Sequence, residues 1–313
     1  MLATAEHLPV TARTEANPLV FLVGCQRSGT TLLSDLLDAH PDVACWNEPY
    51  FIWDRYLGNA DSDVRTAADA TPRVHGYVAT EFAHFRRRSG ARVLVEKSPE
   101  NCFRIPFVDT LFPHAAWIHI VRDGRDVVAS IRREWLSRAR IKHERRPDLF
   151  FRLAWQAWGE QRFVRNRLQQ TWFEIATMDT RNPLAFTNKS KWRGRAAWGP
   201  RYPGWEQEID RLEPVVFNGR QWCEAVRAVR AEYARLGPRL LEIRYETLLA
   251  DPRGCMTRVL EFIGVDTAPA ATMTRSVRSD NTGHWHAAFS DAEYRALKEV
   301  MAPVMLELGY EMT

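Results

Sequence analysis

A short glycine-bounded stretch near the start of the chain has the residue types needed to bind a phosphate group. It runs from Gly24 to Thr31 and reads G-C-Q-R-S-G-T-T. The apolar run at 19–23 predicts a buried parallel strand before it, and leucines at helical spacing predict a helix after it. A turn between a strand and a helix start directs free backbone N–H groups and the helix dipole at an anion. The stretch therefore predicts a phosphate cradle.

This loop differs from the Walker A loop of ATP- and GTP-binding proteins. Gly24 and Gly29 have the Walker A spacing, but Thr30 stands where that loop has its phosphate-contacting lysine. The basic residue comes earlier, as Arg27. The backbone and the hydroxyls of Thr30 and Thr31 can still hold a phosphate. The loop therefore favours a ligand that resembles a nucleotide phosphate but is not Mg-ATP.

Composition narrows the class of protein. The chain has 313 residues, 45% of them hydrophobic, which is enough to bury the core of one large domain or two small ones. A net charge of +4 implies no strong bulk attraction to nucleic acid or to an anionic membrane. Five scattered cysteines without a C-x-x-C pair favour a reducing compartment over a disulfide framework or a zinc site. We expect a cytoplasmic protein with a flexible tail at 1–17 and no membrane span, which would need ~20 apolar residues.

Two neighbouring motifs carry a resemblance to a known family. R-S-G-T-T-L from Arg27, followed by L-D-A-H-P at 37–41, resembles the 5′-phosphosulfate loop of sulfotransferases that use 3′-phosphoadenosine 5′-phosphosulfate (PAPS). The likeness is strongest to the tyrosylprotein and bacterial carbohydrate branches, which carry P-R-S-G-T-T and L-D-A-H-P. The resemblance implies a P-loop-like three-layer αβα fold in a single domain at 18–313. It also implies a set of donor-binding residues in the loop: Arg27, Ser28, Gly29, Thr30 and Thr31.

The ends of two further predicted strands supply residues that this family uses in catalysis. Glu48 follows the second strand, where the family has the general base that takes the acceptor's proton; His40 and Asp42 are alternative bases. E-K-S-P at 96–99 follows the third strand, and the family's lysine in this motif, here Lys97, touches the transferring sulfuryl group and the bridging oxygen. Without the resemblance, both residues would be interpreted as ordinary surface charges.

The longest match follows the fourth predicted strand, where the chain reads V-R-D-G-R-D-V-V-A-S at 121–130. Arg122 and Ser130 have the spacing of the family's 3′-phosphate site, and an arginine fork with a hydroxyl suits a phosphate monoester. The same resemblance implies that Tyr245 lies near the adenine, although it could also be an ordinary strand-end aromatic residue. It further implies that Arg278 belongs to a loop over the 3′-phosphate.

The remaining patterns predict the surrounding architecture. Strands alternating with helices indicate an α/β fold with a mostly parallel sheet, helices on both faces and phosphate sites at the strands' carboxyl ends. The chain predicts mostly helix over 55–90, helix over 150–164 and a long loop over 181–204. Helix starts are predicted at Asp251-Pro252 and at the capping box that begins with Ser290.

The aromatic-rich residues 136–215 hold several of the chain's twelve tryptophans. We interpret this segment as a lid that binds the acceptor, because a long loop rich in aromatic residues in a compact domain is usually functional. The alternative is that these rings simply close the core.

The resemblance implies transfer of a sulfuryl group from PAPS to an acceptor hydroxyl, with 3′-phosphoadenosine 5′-phosphate as product and no metal. Glu48 would be the base, while Arg27 and Lys97 would stabilise charge. A sugar, lipid or small metabolite is favoured over a peptide tyrosine as acceptor. Two alternatives rank lower: a divergent P-loop kinase or NTPase, and a nucleic-acid-binding module resting on the basic run at 132–146. Such runs are usually solvated faces, so we expect no nucleic-acid partner.

Overall fold

A parallel sheet of five strands forms the centre of the computed structural model, which describes residues 18–57, 61–141, 192–193 and 197–312. The strand order is β2-β3-β1-β4-β5, and every neighbouring pair runs parallel. The strands are β1 (Leu19–Val23), β2 (Val43–Asn47), β3 (Val93–Lys97), β4 (Ala116–Val121) and β5 (Leu240–Arg244). The predicted mostly parallel sheet is confirmed.

Helices connect these strands and cover the sheet. In the described ranges they are α1 (Thr30–Asp38), α2 (Tyr50–Asp54), α3 (Pro72–Ser89), α4 (Ile105–Leu111), α5 (Gly124–Ile141), α6 (Trp205–Ile209), α7 (Pro214–Ala231), α8 (Tyr233–Leu236), α9 (Tyr245–Ala250), α10 (Pro252–Ile263), α11 (Ala270–Met273) and α12 (Asp291–Glu307). None of them is both long and apolar enough to cross a membrane.

The side chains of β1 point alternately to the two faces of the sheet, and each face has its own hydrophobic core. Val20 and Leu22 point to one face and pack in the cluster that contains the leucines of α1. Phe21 and Val23 point to the other face and pack with α3, α5 and α7. Burying each of these side chains stabilises the fold by about 1.5–3 kcal/mol. Helices on both faces confirm the three-layer αβα arrangement.

The strand order creates the position for a site. β1 lies in the middle, with β3 on one side and β4 on the other. The chain leaves β1 toward β2 and β3 and then crosses back to β4, so the connections diverge at the carboxyl end of β1. Parallel sheets bind their ligands in the crevice that such a reversal opens.

One helix prediction is wrong in its first half. The long helix in the range 55–90 begins only at Pro72, and residues 61–71 have irregular backbone with a short 3-10 helix at Ala67–Asp69. The side chain of Thr71 caps α3 by accepting a hydrogen bond from the backbone N–H of Val74, and Pro72 occupies the first turn. Thr-Pro is a helix start, which the prediction of mostly helix over 55–90 overlooked.

Other predictions fall partly or wholly outside the described residues: the tail at 1–17, the helix at 150–164 and most of the loop at 181–204. The two predicted helix starts are confirmed. Asp251 caps α10 with its side chain, and Ser290 caps α12 in a capping box.

Candidate functional site

A cleft of about 360 Å³ lies at the carboxyl edge of the sheet. Loops after β1, β2, β3 and β4 converge there, joined by two distant segments near residues 198 and 281. Most of the predicted site residues line this cleft: Arg27, Gly29, Thr30, Thr31, Glu48, Arg122, Ser130 and Tyr245. Long sequence separations between these residues are closed by the parallel crossovers of the sheet.

The glycines of the first loop are required by close packing. A Cβ atom on Gly24 would lie 2.6 Å from the carbonyl oxygen of Ile120 in β4. Gly29 has a left-handed φ of 97°, and a Cβ atom there would lie 2.3 Å from Cδ2 of Tyr245. No side chain caps the start of α1 at Thr30. The first N–H groups of a helix have no partner within it, so this loop offers them to the cleft.

Arg27 joins this loop to α5. Its φ of 66° is left-handed, a conformation that few residues other than glycine adopt. The Nε atom of Arg27 donates to Oγ of Ser130 over 2.9 Å. The predicted phosphate residues after β1 and on α5 are therefore in direct contact.

Arg122 holds the backbone of two cleft segments. Its guanidinium donates to the carbonyl oxygen of Arg27 at 3.2 Å and to that of Asn281 at 2.7 Å. Arg122 is only 4% exposed, and its Nε atom is buried without a hydrogen-bond partner in the part of the chain that the structure describes. A buried donor without a partner is costly, and an anion in the cleft is the type of group that would satisfy it.

Tyr245 packs between the loop and this arginine. Its ring lies against Gly29, and the guanidinium carbon of Arg122 lies 4.4 Å from the ring centroid. The Nδ2 atom of Asn281 donates to the Tyr245 hydroxyl at 2.7 Å. A cation over an aromatic face is stabilised by the ring's negative quadrupole. Tyr245 therefore lies beside the phosphate loop rather than at an unrelated strand end.

Asp126, in the first turn of α5, positions the segment that contains Asn281. Its carboxylate accepts hydrogen bonds from the backbone N–H groups of Gly283 at 2.8 Å and Trp285 at 3.1 Å. Arg278 lies outside the cleft lining. Its side chain is 81% exposed and pairs with Asp280 at 2.7 Å. The structure thus brings Arg122 and Ser130 to the cleft but leaves Arg278 outside its lining.

Glu48 lies opposite the phosphate loop, with both carboxylate oxygens held. Nζ of Lys97 is 2.7 Å from Oε1, and the Tyr50 hydroxyl donates to Oε2 at 2.6 Å. Burial first, and then the charges of Glu100 and Glu48, raise the pKa of Tyr50 well above its usual value. Its phenol therefore remains a protonated donor. Glu48 also has a left-handed φ of 54°, as Arg27 does on the other wall.

The two alternative bases lie elsewhere. His40 is buried, with Nε2 at 2.9 Å from the carbonyl oxygen of Asp266 and Nδ1 accepting from the backbone N–H of Asp42. The Asp42 carboxylate faces Arg92 at 3.7 Å. Neither His40 nor Asp42 lines the cleft.

Glu96, next to Lys97 in the chain, is a buried residue that holds the segment after β3. It is fully buried and accepts hydrogen bonds from Trp53 at 2.9 Å, Ser98 at 2.6 Å and Asn101 at 2.8 Å. Burial raises the pKa of Glu96 to about 7, although the three hydrogen bonds and Lys97 oppose that rise. These contacts fix the turn that follows Lys97.

Sequence reasoning missed several residues at the cleft. Tyr50 had a local signal, because it follows Glu48 by two positions. Trp198 was treated only as part of the 136–215 segment; it lines the cleft, with its ring centroid 5.9 Å from the guanidinium carbon of Arg27. Asn281 lines the cleft, and the buried Gln221 donates a hydrogen bond to the carbonyl oxygen of Trp198. Both residues are far in sequence from the phosphate loop, so no local pattern indicated them.

A model of the sulfotransferase family matches residues 18–177 and 180–269, well over half of the chain. The chain belongs to the sulfotransferase family. The expected family membership is therefore confirmed. Within the described ranges, no group of three or more His, Cys, Asp or Glu residues is placed to hold a metal ion.

Individual sulfotransferases resemble part of the chain. Protein-tyrosine sulfotransferase 1 of Danio rerio is 31% identical over 124 residues, covering 36% of this chain and 35% of that protein. Protein-tyrosine sulfotransferase of Drosophila melanogaster is 35% identical over 124 residues, covering 36% and 25%. Nodulation protein NoeE of Sinorhizobium fredii is 28% identical over 134 residues, covering 38% and 32%. The matches span about a quarter to a third of these relatives' own length.

Solved structures share the fold over nearly the whole chain. The sulfotransferase domain of the Synechococcus PCC 7002 olefin synthase has a TM-score of 0.54 at 19% identity, covering 96% of this chain and 98% of that domain. The sulfotransferase domain of the curacin biosynthetic pathway has a TM-score of 0.53 at 14% identity, covering 95% and 99%. These likenesses confirm the P-loop-like αβα fold of sulfotransferases.

Proposed function

We propose that the protein transfers a sulfuryl group from PAPS to a hydroxyl group of an acceptor. The observation that carries the proposal is the set of residues that line one cleft. The phosphate loop, which lacks a lysine, and Arg122 form one wall, and Glu48, which is paired with the buried Lys97, lies on the other. Phosphate-binding groups and a held carboxylate thus face each other, as transfer between a nucleotide donor and a hydroxyl requires.

The donor-binding wall suits a multiply charged anion. The backbone from Ser28 to Thr31, together with the hydroxyls of Thr30 and Thr31, would hold the 5′-phosphosulfate at the start of α1. Arg122 and Ser130 would hold the 3′-phosphate, with Arg278 at the outer edge. Tyr245 would lie beside the donor's adenosine. The buried Nε of Arg122 supports this fit, because an anion would supply the hydrogen bond that it lacks.

The donor would supply the sulfuryl group, and this chain's residues would position and stabilise the reacting atoms. The acceptor oxygen bonds to sulfur as the bond from sulfur to the bridging oxygen of the 5′-phosphate breaks, and Glu48 takes the acceptor's proton. Arg27 and Lys97 stabilise the charge on the transferred group and the departing oxygen. The Tyr50 hydroxyl holds the second oxygen of Glu48 and so orients its carboxylate.

The acceptor is a hydroxyl-bearing sugar, lipid or small metabolite, favoured over a peptide tyrosine. Trp198 on the cleft wall supports an acceptor with a ring or apolar face, since aromatic rings stack on such surfaces. Most of the proposed lid at 136–215 lies outside the described residues, and its described tryptophans lie in two different places. Trp192 is 0% and Trp205 is 1% exposed, so both belong to the core, whereas Trp198 borders the cleft.

Calorimetric titration with 3′-phosphoadenosine 5′-phosphate, beside ATP with Mg²⁺, tests the proposal. We expect the bisphosphate to bind without metal. Arg122→Ala should weaken binding roughly 10- to 100-fold, because a hydrogen bond to a charged group contributes about 1.5–3 kcal/mol. Arg253→Ala, which removes an exposed arginine on α10, is the matched control and should leave affinity unchanged.

Thermal melting of Arg122→Ala checks that the variant is folded, because Arg122 also bonds two backbone carbonyls. Binding of Mg-ATP without binding of the bisphosphate would overturn the proposal in favour of a divergent P-loop kinase.

A further inference from the structure

Two buried glutamine side chains connect the phosphate loop to the wall that contains Trp198. Gln26 lies in the loop and is 4% exposed, and Gln221 lies on α7 and is 0% exposed. Nε2 of Gln26 donates to Oε1 of Gln221. Nε2 of Gln221 donates in turn to the carbonyl oxygens of Trp198 at 2.9 Å and Pro200 at 2.8 Å. We call this pair of side chains the glutamine relay.

The hydrogen-bonding partners allow the glutamine relay only one orientation. Backbone carbonyls can only accept hydrogen bonds, so the amide nitrogen of Gln221 must face Trp198 and Pro200. Its oxygen then faces Gln26, which must present its own nitrogen. The oxygen of Gln26 accepts from the Cys25 thiol at 3.0 Å. A buried network satisfied at each step specifies a single arrangement of the segments it joins.

The segment at 198–201, which we call the strap, packs closely against the phosphate loop. Gly199 has a φ of 88°, and a Cβ atom there would lie 2.4 Å from Cδ of Gln26. At its far end, the backbone N–H of Arg201 donates to Oδ2 of Asp63 at 2.7 Å, and the Asp63 N–H donates to the Arg201 carbonyl at 2.9 Å. The strap is therefore anchored at one end to Asp63 and at the other to the phosphate loop.

We infer that the glutamine relay is a positioning element that fixes Trp198 as a rigid wall for the acceptor. It selects acceptors that present a flat ring face beside the reacting hydroxyl. The inference rests on the proposed function, since the acceptor is the ligand that this wall would contact. Gln26 stands where the resembled motif P-R-S-G-T-T has proline, which carries no amide to join the strap. The connection is thus made by this chain's own residues.

Hydrogen–deuterium exchange of the full-length protein tests the relay without any activity. Gln221→Met keeps the side-chain length and removes the two hydrogen bonds that Gln221 donates to the strap, which leaves only the 3.5 Å contact from Nε2 of Gln26 to the Trp198 carbonyl oxygen. We expect amide exchange in a peptide covering 197–202 to become roughly tenfold faster, the scale of a lost buried hydrogen bond. Gln207→Met, an exposed glutamine on α6, is the matched control and should not change it. Unchanged exchange in Gln221→Met would overturn the inference.

A kinetic measurement with 2-naphthol as probe acceptor tests the selection of a ring face. Gln221→Met should raise the KM for 2-naphthol about tenfold, with kcat and the affinity for 3′-phosphoadenosine 5′-phosphate nearly unchanged. Trp198→Ala should raise KM similarly, and the double variant should add little, because both changes act on one wall. Additive effects, or no turnover of 2-naphthol by a wild-type protein that binds the bisphosphate, contradict ring-face selection.

Two controls separate the possible failures. If Gln221→Met fails to fold, Gln221→Glu keeps the shape and the oxygen but cannot donate to both carbonyls, and it replaces Gln221→Met in the exchange measurement. If the wild type does not bind 3′-phosphoadenosine 5′-phosphate, the proposed function fails, and the exchange rates still decide whether the relay holds the strap.

Discussion

The two walls of the cleft are assembled in different ways. The donor wall consists of short segments that directly follow β1 and β4, so Arg27, Arg122 and Ser130 are positioned by the ends of neighbouring parallel strands. The acceptor wall includes Trp198, whose carbonyl oxygen accepts a hydrogen bond from Gln221, and its segment is bonded to Asp63 through Arg201. The first wall is positioned by strand ends that lie side by side in the sheet, whereas the second depends on side chains donated by other elements.

Both walls nevertheless hold one residue in a conformation that glycine usually adopts. Arg27 and Glu48 have φ values of 66° and 54°. Arg122 holds the backbone of Arg27, and Lys97 holds both the side chain and the backbone N–H of Glu48. Strained residues persist where their surroundings determine them, and often at functional sites. Arg193 has a φ of 49° away from the cleft, so strain alone does not identify a site.

The largest expected effect separates chemistry from donor binding. Glu48→Gln should slow sulfuryl transfer to 2-naphthol roughly 10²- to 10⁴-fold, the contribution of a general base. The affinity for 3′-phosphoadenosine 5′-phosphate should stay nearly unchanged, because Glu48 is on the opposite wall. Initial rates and calorimetry measure the two quantities, with the exposed Glu311→Gln as control. A wild-type rate in Glu48→Gln would place the base elsewhere.

The acceptor wall should be sensitive to loss of its buried charge. Asp63 is 1% exposed and lies between Arg104 and Arg201, so Asp63→Asn leaves buried cations poorly compensated. We expect the free energy of unfolding in urea to fall by about 3–5 kcal/mol. Asp61→Asn is the matched control, because the Asp61 side chain is 88% exposed in its pair with Arg193 and should contribute about 0–1 kcal/mol. Equal losses would show that Asp63 does not anchor the strap.

The donor wall should be sensitive to its packing. Gly29→Ala adds a left-handed strain of roughly 1–2 kcal/mol and a clash with Tyr245 that costs about 1–3 kcal/mol more. Gly264→Ala isolates the strain, since φ there is 73° and a Cβ atom would meet nothing within 4 Å. Urea unfolding compares their stabilities, and calorimetry should show weaker bisphosphate binding only in Gly29→Ala. Identical behaviour of the two variants argues against a role for the Tyr245 contact.

A smaller effect is expected on the pH dependence of stability. Burial raises the pKa of Glu96 from 4.5 to about 7, so the folded state binds its proton more tightly than the unfolded state. This stabilisation is complete below about pH 4.5, declines as the pH rises, and is lost above about pH 7. Glu96→Gln should flatten the decline in urea unfolding experiments across that range, whereas Glu311→Gln should not. If the free energy of unfolding of Glu96→Gln declines with the same slope, other titrating groups cause the decline.

The smallest effect concerns Arg278. Its pair with Asp280 is exposed to solvent, and exposed ion pairs are weak. We expect Arg278→Ala to weaken binding of 3′-phosphoadenosine 5′-phosphate less than about threefold, far less than Arg122→Ala. Calorimetry on the two variants side by side measures the difference. A loss as large as that of Arg122→Ala indicates that the 278–285 loop moves onto the donor.

The sequence by itself determined the parts of this protein that depend on neighbouring residues. The strand, glycine turn and helix at 19–38 follow from an apolar run, a close-packed turn and helical spacing, all within one stretch. The caps at Asp251 and Ser290 were recognised for the same reason, since a cap bonds a backbone group three residues away. The Thr71 cap obeys this rule too, and the error at 55–71 came from overlooking it.

Only the tertiary structure decided which distant side chains meet. Lys97 pairs with Glu48 because β2 and β3 lie side by side, and Gln26 bonds Gln221 on α7 although 195 residues separate them. No local pattern marks such partners, because their contact depends on strand order and helix packing over nearly two hundred residues. The phosphate loop can therefore be predicted from the sequence, whereas the contacts that complete the cleft form only when the fold brings distant segments together.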